Sequence, residues 1–192
     1  MSLFFETLRL KDGKIQNLRF HNQRLNHTIH AYYGIKSHID LQQHVHPKEF
    51  TLERCKVLYD TDIKTVQFFP LKPRKVQSLK LLETKIKYNF KYADREGIDQ
   101  LFLQRGDCDD ILMVQDGLVL DTSIANIAYH DGKQWITPRH PLLKGTMRAY
   151  LIEKQLLLEK DVKIKDIKKA TRFAVMNALV GFHEIQGVKL RE

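Results

Sequence analysis

The chain has 192 residues, a hydrophobic fraction of 43% and a formal net charge of +9 at pH 7. A chain of this length and hydrophobicity can fill one ordinary domain or two small ones, which excludes a disordered chain. No apolar run reaches the ~20 residues that cross a bilayer, and no signal-peptide pattern opens the chain, so we expect a cytoplasmic protein that does not contact a membrane.

The excess of basic residues indicates an anionic partner, either a nucleic acid or a small molecule. The densest basic stretch, residues 160–169, contains two aspartates and no aromatic side chain on which bases could stack. This pattern is typical of a solvated surface. We therefore expect an anionic small-molecule substrate and no binding to nucleic acid.

The cysteine and histidine patterns do not predict a metal site. The two cysteines, Cys55 and Cys108, match no metal-binding or redox spacing, so we interpret them as small core residues. Two histidine pairs are closely spaced: His27 with His30, and His44 with His46. Neither pair has a cysteine or carboxylate nearby at ligand spacing, and we expect these histidines on the surface.

The first part of the chain mixes strand and helix patterns. Alternating apolar residues predict five strands, at 3–10, 15–20, 54–59, 64–69 and 76–82, and the Asp12-Gly13 turn predicts that the first two form a β-hairpin. An apolar stripe predicts a helix over 22–33 that stops at Gly34, and a second short helix is expected over 40–46. We therefore expect residues 1–85 to form an α+β domain on an antiparallel sheet.

The second part begins as a β-meander. Short apolar segments predict strands at 111–114, 118–120, 124–129 and 134–137. The segments 172–179 and 183–188 are expected to close the fold as strands or as strand-helix pieces. Helices are expected over 94–104 and, as the strongest helical pattern in the chain, over 146–159. Residues 86–192 are therefore expected to form a second domain of meander strands and helices.

Three local features carry chemistry, although each has a simpler interpretation. Gly145 and Thr146 open a predicted helix, whose free N–H groups and dipole can bind phosphate, but many helices begin this way as a cap. Lys91 stands between two aromatic residues, where a desolvated lysine can form a Schiff base or an ordinary surface lysine can lie. Asp121 follows an apolar strand and could keep a pyridine nitrogen protonated or serve as a turn residue.

Taken together, the residues resemble the fold type IV pyridoxal phosphate enzymes, which include branched-chain and D-amino acid aminotransferases and 4-amino-4-deoxychorismate lyase. The resemblance rests on the segments Phe5–Arg9, Asp12-Gly13, His21-x-x-Arg24-Leu25, Lys91-x-x-Asp94-Arg95, Asp121–Ile127, Thr137-Pro138, Leu143–Arg148 and Asn177-Ala-Leu. It implies a two-domain α+β fold of the D-amino acid aminotransferase-like kind, shortened at the N-terminus. It also implies pyridoxal 5'-phosphate as the cofactor and a homodimer with sites at the domain interface, residues 86–192 carrying most of the cofactor site.

The resemblance implies a role for each candidate cofactor residue. Lys91 corresponds to the Schiff-base lysine, which is also the catalytic base. The other implied cofactor-binding residues are Arg24, Asp121, Thr122, Gly145, Thr146 and Met147. Arg24 and the backbone amides of Thr146 and Met147 would hold the phosphate. Asp121 would partner the pyridine nitrogen, although it is one methylene shorter than the glutamate that the family has there.

The lysine assignment and the substrate residues depend on the same motif. Lys85 and Lys87 lie close enough to compete, but only Lys91 is followed by both Asp94 and Arg95 at the spacing of the lyase. We therefore expect Lys91 to be the reactive lysine. Arg95 and, through the Asn-Ala-Leu segment, Asn177 are implied to contact the substrate.

The resemblance favours a lyase that converts 4-amino-4-deoxychorismate to 4-aminobenzoate and pyruvate in folate biosynthesis. A branched-chain or D-amino acid aminotransferase is the alternative, because the two reactions share their early chemistry. A third hypothesis is a relative that binds the cofactor or a partner but does not catalyse.

Overall fold

The computed structural model describes residues 2–48, 52–72 and 74–192. The chain divides into two compact units, one of residues 1–73 and 90–94 and the other of residues 74–89 and 95–192. These units have other limits than the two domains expected on either side of residue 85. The domain boundary at residue 85 stays a prediction.

The first unit is built on four antiparallel strands: β1 (Phe4–Lys11), β2 (Lys14–Ile15), β3 (Leu52–Tyr59) and β4 (Ile63–Pro70). Their order in the sheet is β2-β1-β3-β4. The β1–β2 hairpin turns at Asp12 and Gly13, whose φ angles are 50° and 71°. Two successive positive φ values match the twist of the strands that a tight hairpin joins, so the predicted hairpin is confirmed.

Helix α1 (Leu18–Tyr33) begins before the expected residue 22 and occupies much of the segment that was expected to be the second hairpin strand. It ends at Gly34, which has a φ of 72° and donates its amide to the His30 carbonyl at 2.9 Å, as a left-handed helix cap does. The expected helix over 40–46 is only a 3-10 turn, Leu41–Gln43. The Asp40 side chain caps this turn by accepting a hydrogen bond from the Gln42 amide.

The core of the first unit lies between α1 and its sheet. Its fully buried side chains include Phe4, Leu8, Leu10, Leu25, Ile29, Cys55, Val57 and Tyr59. The segment 90–94 joins this unit through β1: the Phe5 amide donates to the Lys91 carbonyl at 3.0 Å, and the Ala93 amide donates to the Leu3 carbonyl at 2.7 Å. These bonds fix the backbone from Lys91 to Ala93.

The second unit contains the other described strands: β5 (Ser78–Glu83), β6 (Asp110–Gln115), β7 (Leu118–Thr122), β8 (Asn126–His130), β9 (Trp135–Pro138), β10 (Leu158–Lys160), β11 (Arg172–Asn177), β12 (Gly181–Ile185) and β13 (Lys189–Arg191). Seven of them follow the order β10-β9-β8-β7-β6-β5-β13, while β11 pairs with both β8 and β12. β5 pairs in parallel with β6 and β13. The expectation that this strand belongs to the antiparallel sheet of the first domain is therefore wrong.

Three helices accompany this sheet: α2 (Glu96–Leu103), α3 (Thr146–Glu153) and α4 (Ile164–Lys169). The expected helix over 146–159 is shorter than predicted. Gln155 has a φ of 56°, which breaks the helical path, and β10 then pairs in parallel with β9. α4 lies in the basic stretch that was interpreted as a solvated surface, and among its residues only Ile167 is buried.

The core of the second unit contains buried side chains from the sheet and from α4. They include Leu79, Leu112, Val119, Ile127, Ile136, Ile167 and Phe173. Both cysteines are buried, and the four paired histidines are exposed, so these expectations are confirmed. Within the described ranges, no helix is long and apolar enough to span a membrane, and no group of three or more His, Cys, Asp or Glu residues could hold a metal ion.

Candidate functional site

Lys91 in the first unit lies against an aromatic ring. Its Nζ is 4.4 Å from the centre of the Phe5 ring, and the residue is half-buried. Aromatic side chains pack around the start of β1, where the Phe4 and Tyr92 rings lie 5.1 Å apart. The competing residues Lys85 and Lys87 are both exposed and belong to the second unit. Lys91 is therefore the most desolvated of the three lysines, and desolvation favours the neutral amine that forms a Schiff base.

Close to Lys91, a buried ion cluster joins β1 to α1. The Glu6 carboxylate accepts hydrogen bonds from Arg24 Nε at 2.8 Å and from Arg24 Nη2 at 2.6 Å. Glu6 Oε2 also lies 2.6 Å from His21 Nδ1. Since an ionised carboxylate can only accept, the proton of this contact is on His21 Nδ1.

The electrostatics of this cluster follow from burial and from the positive charges of Arg24 and of the nearby Lys91. Burial acts to raise the pKa of Glu6, but the charge of Arg24 and the hydrogen bonds from His21 and Arg24 outweigh it and lower that pKa to about 2. The pKa of His21 is lowered, chiefly by burial, with the positive charges of Arg24 and Lys91 acting in the same direction. Glu6 is therefore ionised and His21 neutral at physiological pH, and Lys91 lies within electrostatic range of His21.

Arg24, the predicted phosphate ligand, has a fixed orientation. Glu6 binds two of its guanidinium nitrogens in the fork geometry that holds the guanidinium plane in place. The side chain is mostly buried. Its role toward a phosphate stays a prediction. Sequence reasoning missed Glu6 as its partner, although Glu6 stands within the quoted Phe5–Arg9 segment.

Asp121 lies at the end of β7 in the second unit and is almost fully buried. Its Oδ1 accepts a hydrogen bond from Asn126 Nδ2 at 2.7 Å, and its Oδ2 accepts one from the Leu143 amide at 2.9 Å. Burial raises the pKa of Asp121 to about 7, against the opposing effects of these hydrogen bonds and of the Arg148 charge. Its carboxyl group is therefore poised between its charged and neutral forms near neutral pH.

Asn126 connects Asp121 to the backbone that precedes α3. Its Nδ2 also donates to the Leu143 carbonyl at 2.8 Å, and its Oδ1 accepts a hydrogen bond from the Gly145 amide at 3.2 Å. A Cβ atom on Gly145 would lie 2.1 Å from Asn126 Oδ1. The sequence placed Asn126 in the Asp121–Ile127 segment without giving it a role, and its position five residues after the acid in that segment was the available signal.

The start of α3 carries the other predicted phosphate residues. Thr146, its first residue, is buried, and Met147 packs partly buried against the Leu151 side chain and its neighbours. Arg148 is buried and donates from Nη2 to the Pro138 carbonyl at 2.8 Å and to Glu159 Oε1 at 2.5 Å. These bonds hold α3 to β9 and β10, so the helix start rests on a rigid support.

The loop between β7 and β8 brings both predicted substrate residues together. Arg95 Nη2 donates to the Ser123 carbonyl at 2.8 Å, and Asn177 Nδ2 donates to the Ile124 carbonyl at 3.3 Å. The Thr122 side chain closes this loop, since its Oγ1 accepts a hydrogen bond from the Ala125 amide at 3.1 Å. Contacts of Thr122 with a cofactor, and of Arg95 and Asn177 with a substrate, stay predictions.

Residues 77–188 match the model of the amino-transferase class IV family. The chain belongs to this family. An uncharacterised protein from Haemophilus influenzae is 34% identical over 183 residues, covering 92% of this chain and 97% of the relative. The family membership and fold type IV predicted from the resemblance are therefore confirmed, and the chain is a member of a family of pyridoxal phosphate-dependent enzymes.

Two solved structures illustrate the likeness. A protein from Haemophilus somnus, described as a candidate 4-amino-4-deoxychorismate lyase, is 29% identical with a TM-score of 0.85. The matched region covers 94% of this chain and 98% of that one. A hypothetical aminotransferase from Mycobacterium tuberculosis, solved in its pyridoxal phosphate-bound form, shares the fold with a TM-score of 0.81 and 16% identity, over 98% of this chain and 81% of that one.

Proposed function

We propose that this class IV family member is a pyridoxal phosphate-dependent lyase that eliminates pyruvate from 4-amino-4-deoxychorismate and leaves 4-aminobenzoate. The observation that carries the proposal is the placement of Lys91, half-buried against Phe5, whereas Lys85 and Lys87 are exposed. The candidate lyase activity described for the Haemophilus somnus relative supports this reaction over other reactions of the family.

The chemistry of the donor set fits the cofactor. Each unit offers part of what a phosphorylated pyridine aldehyde needs: Lys91 and Arg24 in the first, Asp121 and the Gly145–Thr146 helix start in the second. Among the residues of the second unit, Gly145 lies in close contact with the Asn126 side chain. When bound, the cofactor supplies an electron sink for the pair that remains after a proton is removed from the substrate.

The proposed roles follow from the chemistry of each side chain. Lys91 would hold the cofactor covalently until the substrate amine displaces it, and its freed Nζ amine would then act as the general base that removes the proton next to the substrate nitrogen. Arg24 and the first amides of α3 would bind the phosphate. Asp121 would accept a hydrogen bond from the ring nitrogen and so favour its protonated form.

The substrate is an anion, and the net charge of +9 favours its approach. We propose that Arg95 binds a substrate carboxylate and that Asn177 contributes an amide beside it, since both side chains meet the loop between β7 and β8. We further propose that the enzyme is a homodimer that acts in the cytoplasm in folate biosynthesis.

The first test is covalent loading. Purified protein mixed with pyridoxal phosphate should develop a visible absorption band, and borohydride reduction followed by peptide mass mapping should place the modification on Lys91. Lys91→Ala should lose the band. The matched variants Lys85→Ala and Lys87→Ala should keep it, because those lysines are exposed. A band that survives in Lys91→Ala would refute the assignment, and a wild-type protein without a band would favour a non-catalytic relative.

The second test separates lyase from aminotransferase. Formation of 4-aminobenzoate from 4-amino-4-deoxychorismate without any added keto acid supports the lyase. Strict dependence of turnover on 2-oxoglutarate or pyruvate supports the branched-chain or D-amino acid aminotransferase, which family membership keeps as the second candidate.

A further inference from the structure

Two buried side chains fix the backbone immediately before α3. Asn126 binds the Leu143 carbonyl through Nδ2 and the Gly145 amide through Oδ1, at 2.8 and 3.2 Å. Asp121 binds the Leu143 amide at 2.9 Å and the Asn126 side chain at 2.7 Å. Three polar backbone groups of the approach to the helix are thus held from β7 and β8, and both side chains are exposed by 5% or less.

Gly145 matches Asn126 by its lack of a side chain. Its φ and ψ angles of −71° and 149° are available to any residue, so backbone conformation does not require glycine here. The requirement comes from space, because a Cβ atom would lie 2.1 Å from Asn126 Oδ1. The glycine and the asparagine therefore form one contact that a larger residue at position 145 would break.

We propose that Asn126 is a positioning residue for the cofactor's phosphate group, acting through the backbone of Leu143–Gly145. A helix start binds an anion well only when its first amides are aimed at one point, and the Asn126 contacts determine how the chain enters α3. Asp121 supports Asn126 in this role. Each carboxylate oxygen can accept more than one hydrogen bond, so this support is compatible with the proposed contact to the ring nitrogen.

The inference rests on the proposed function, and it predicts a difference between two ligands. Pyridoxal phosphate carries the phosphate, and pyridoxal has the same ring and aldehyde without it. We would measure the dissociation constants of both ligands for wild type, Asn126→Ala and Gly145→Ala. Asp131→Ala is the matched control, because Asp131 Oδ1 accepts hydrogen bonds from the Lys133 and Gln134 amides, both at 3.0 Å, in another turn of the same unit.

Asn126→Ala and Gly145→Ala should each weaken pyridoxal phosphate binding by about tenfold or more, which corresponds to the loss of one or two hydrogen bonds. Their affinity for pyridoxal should equal that of wild type, and Asp131→Ala should match wild type for both ligands. An equal loss for the two ligands would overturn the inference, as would unchanged binding in both variants. Gly145→Ala retains every polar side chain, so it decides the question if Asn126→Ala does not fold.

Inorganic phosphate separates this inference from the proposed function. If wild type shows the visible band and Asn126→Ala binds pyridoxal phosphate equally well, the inference fails and the function stands. If wild type shows no band, the proposed function fails. What then remains of the inference is that Asn126 positions a phosphate-binding helix start, and this part stands only if inorganic phosphate raises the thermal midpoint of wild type and of Asp131→Ala but not that of Asn126→Ala.

Discussion

Replacing Glu6 by glutamine removes the central charge of the buried cluster in the first unit and keeps the size of the side chain. The pKa of Glu6 is about 2, against an ordinary value of 4.5. Since one pKa unit corresponds to about 1.36 kcal/mol, the charged form of Glu6 contributes about 3 kcal/mol to stability at neutral pH. Breaking a buried ion pair by removing one partner costs about 3–5 kcal/mol, which agrees with the value from the pKa shift.

The pH dependence has a definite sign. A lowered pKa in the folded state stabilises the protein at pH values above the ordinary 4.5, and this contribution disappears as the pH falls from 4.5 toward 2. The stability gap between wild type and Glu6→Gln should therefore be largest at neutral pH and narrow through that window. Urea unfolding followed by circular dichroism measures it, and the thermal midpoint at pH 7 should fall by about 10 °C.

Glu184→Gln is the matched control. Glu184 binds Arg172 through two hydrogen bonds of 2.7 and 2.6 Å, the same fork geometry, but both partners are solvent-accessible. Exposed pairs contribute little because water already solvates both charges. If Glu6→Gln loses no more stability than Glu184→Gln, or if its deficit is the same at every pH, the argument from burial is wrong.

Two further predictions concern other buried groups. Burial raises the pKa of Asp121 from an ordinary 3.8 to about 7, so the stability that this carboxyl group contributes is present below pH 3.8 and is lost as the pH rises toward 7. Urea unfolding of the cofactor-free protein should therefore give a free energy of unfolding that falls over this range. Asp121→Asn should lack this part of the pH dependence. Burial also raises the pKa of the Cys55 thiol to about 11, and Cys108 is buried as well. Neither cysteine should react with a maleimide at pH 7 until the protein unfolds, and rapid labelling of the native protein would contradict their placement.

Local signals predicted the elements that local chemistry determines. The Asp12-Gly13 turn and the end of α1 at Gly34 depend on positive φ angles, which the residues at these positions themselves adopt. The position of β5 in its sheet depends instead on pairing with β6 and β13, and β13 lies more than a hundred residues later in the chain. Alternation of apolar residues shows that a strand exists but not which strand it pairs with, so its sheet was assigned wrongly.

The same limit explains which parts of the site were predictable. Residue types and spacing identified groups that could touch a cofactor, such as Lys91, Arg24 and Gly145. They could not show that Glu6 binds Arg24 across 18 positions, or that Asn126 binds Gly145 across 19. The supporting contacts join elements that meet only in the folded chain, and a single sequence does not contain those distances.

Asp121 shows that the groups around a side chain can determine its chemistry as much as its length does. It is shorter than the family's glutamate, which suggests that reach is the limiting property. In the structure its two hydrogen-bond donors favour the charged form while burial favours the neutral form, and the balance falls near pH 7. A group in this state responds strongly to a nearby cation, because an opposite charge within a few ångströms stabilises the ionised carboxylate. A protonated ring nitrogen is such a cation, so the environment of Asp121 suits the proposed role through its electrostatics even though its side chain is short.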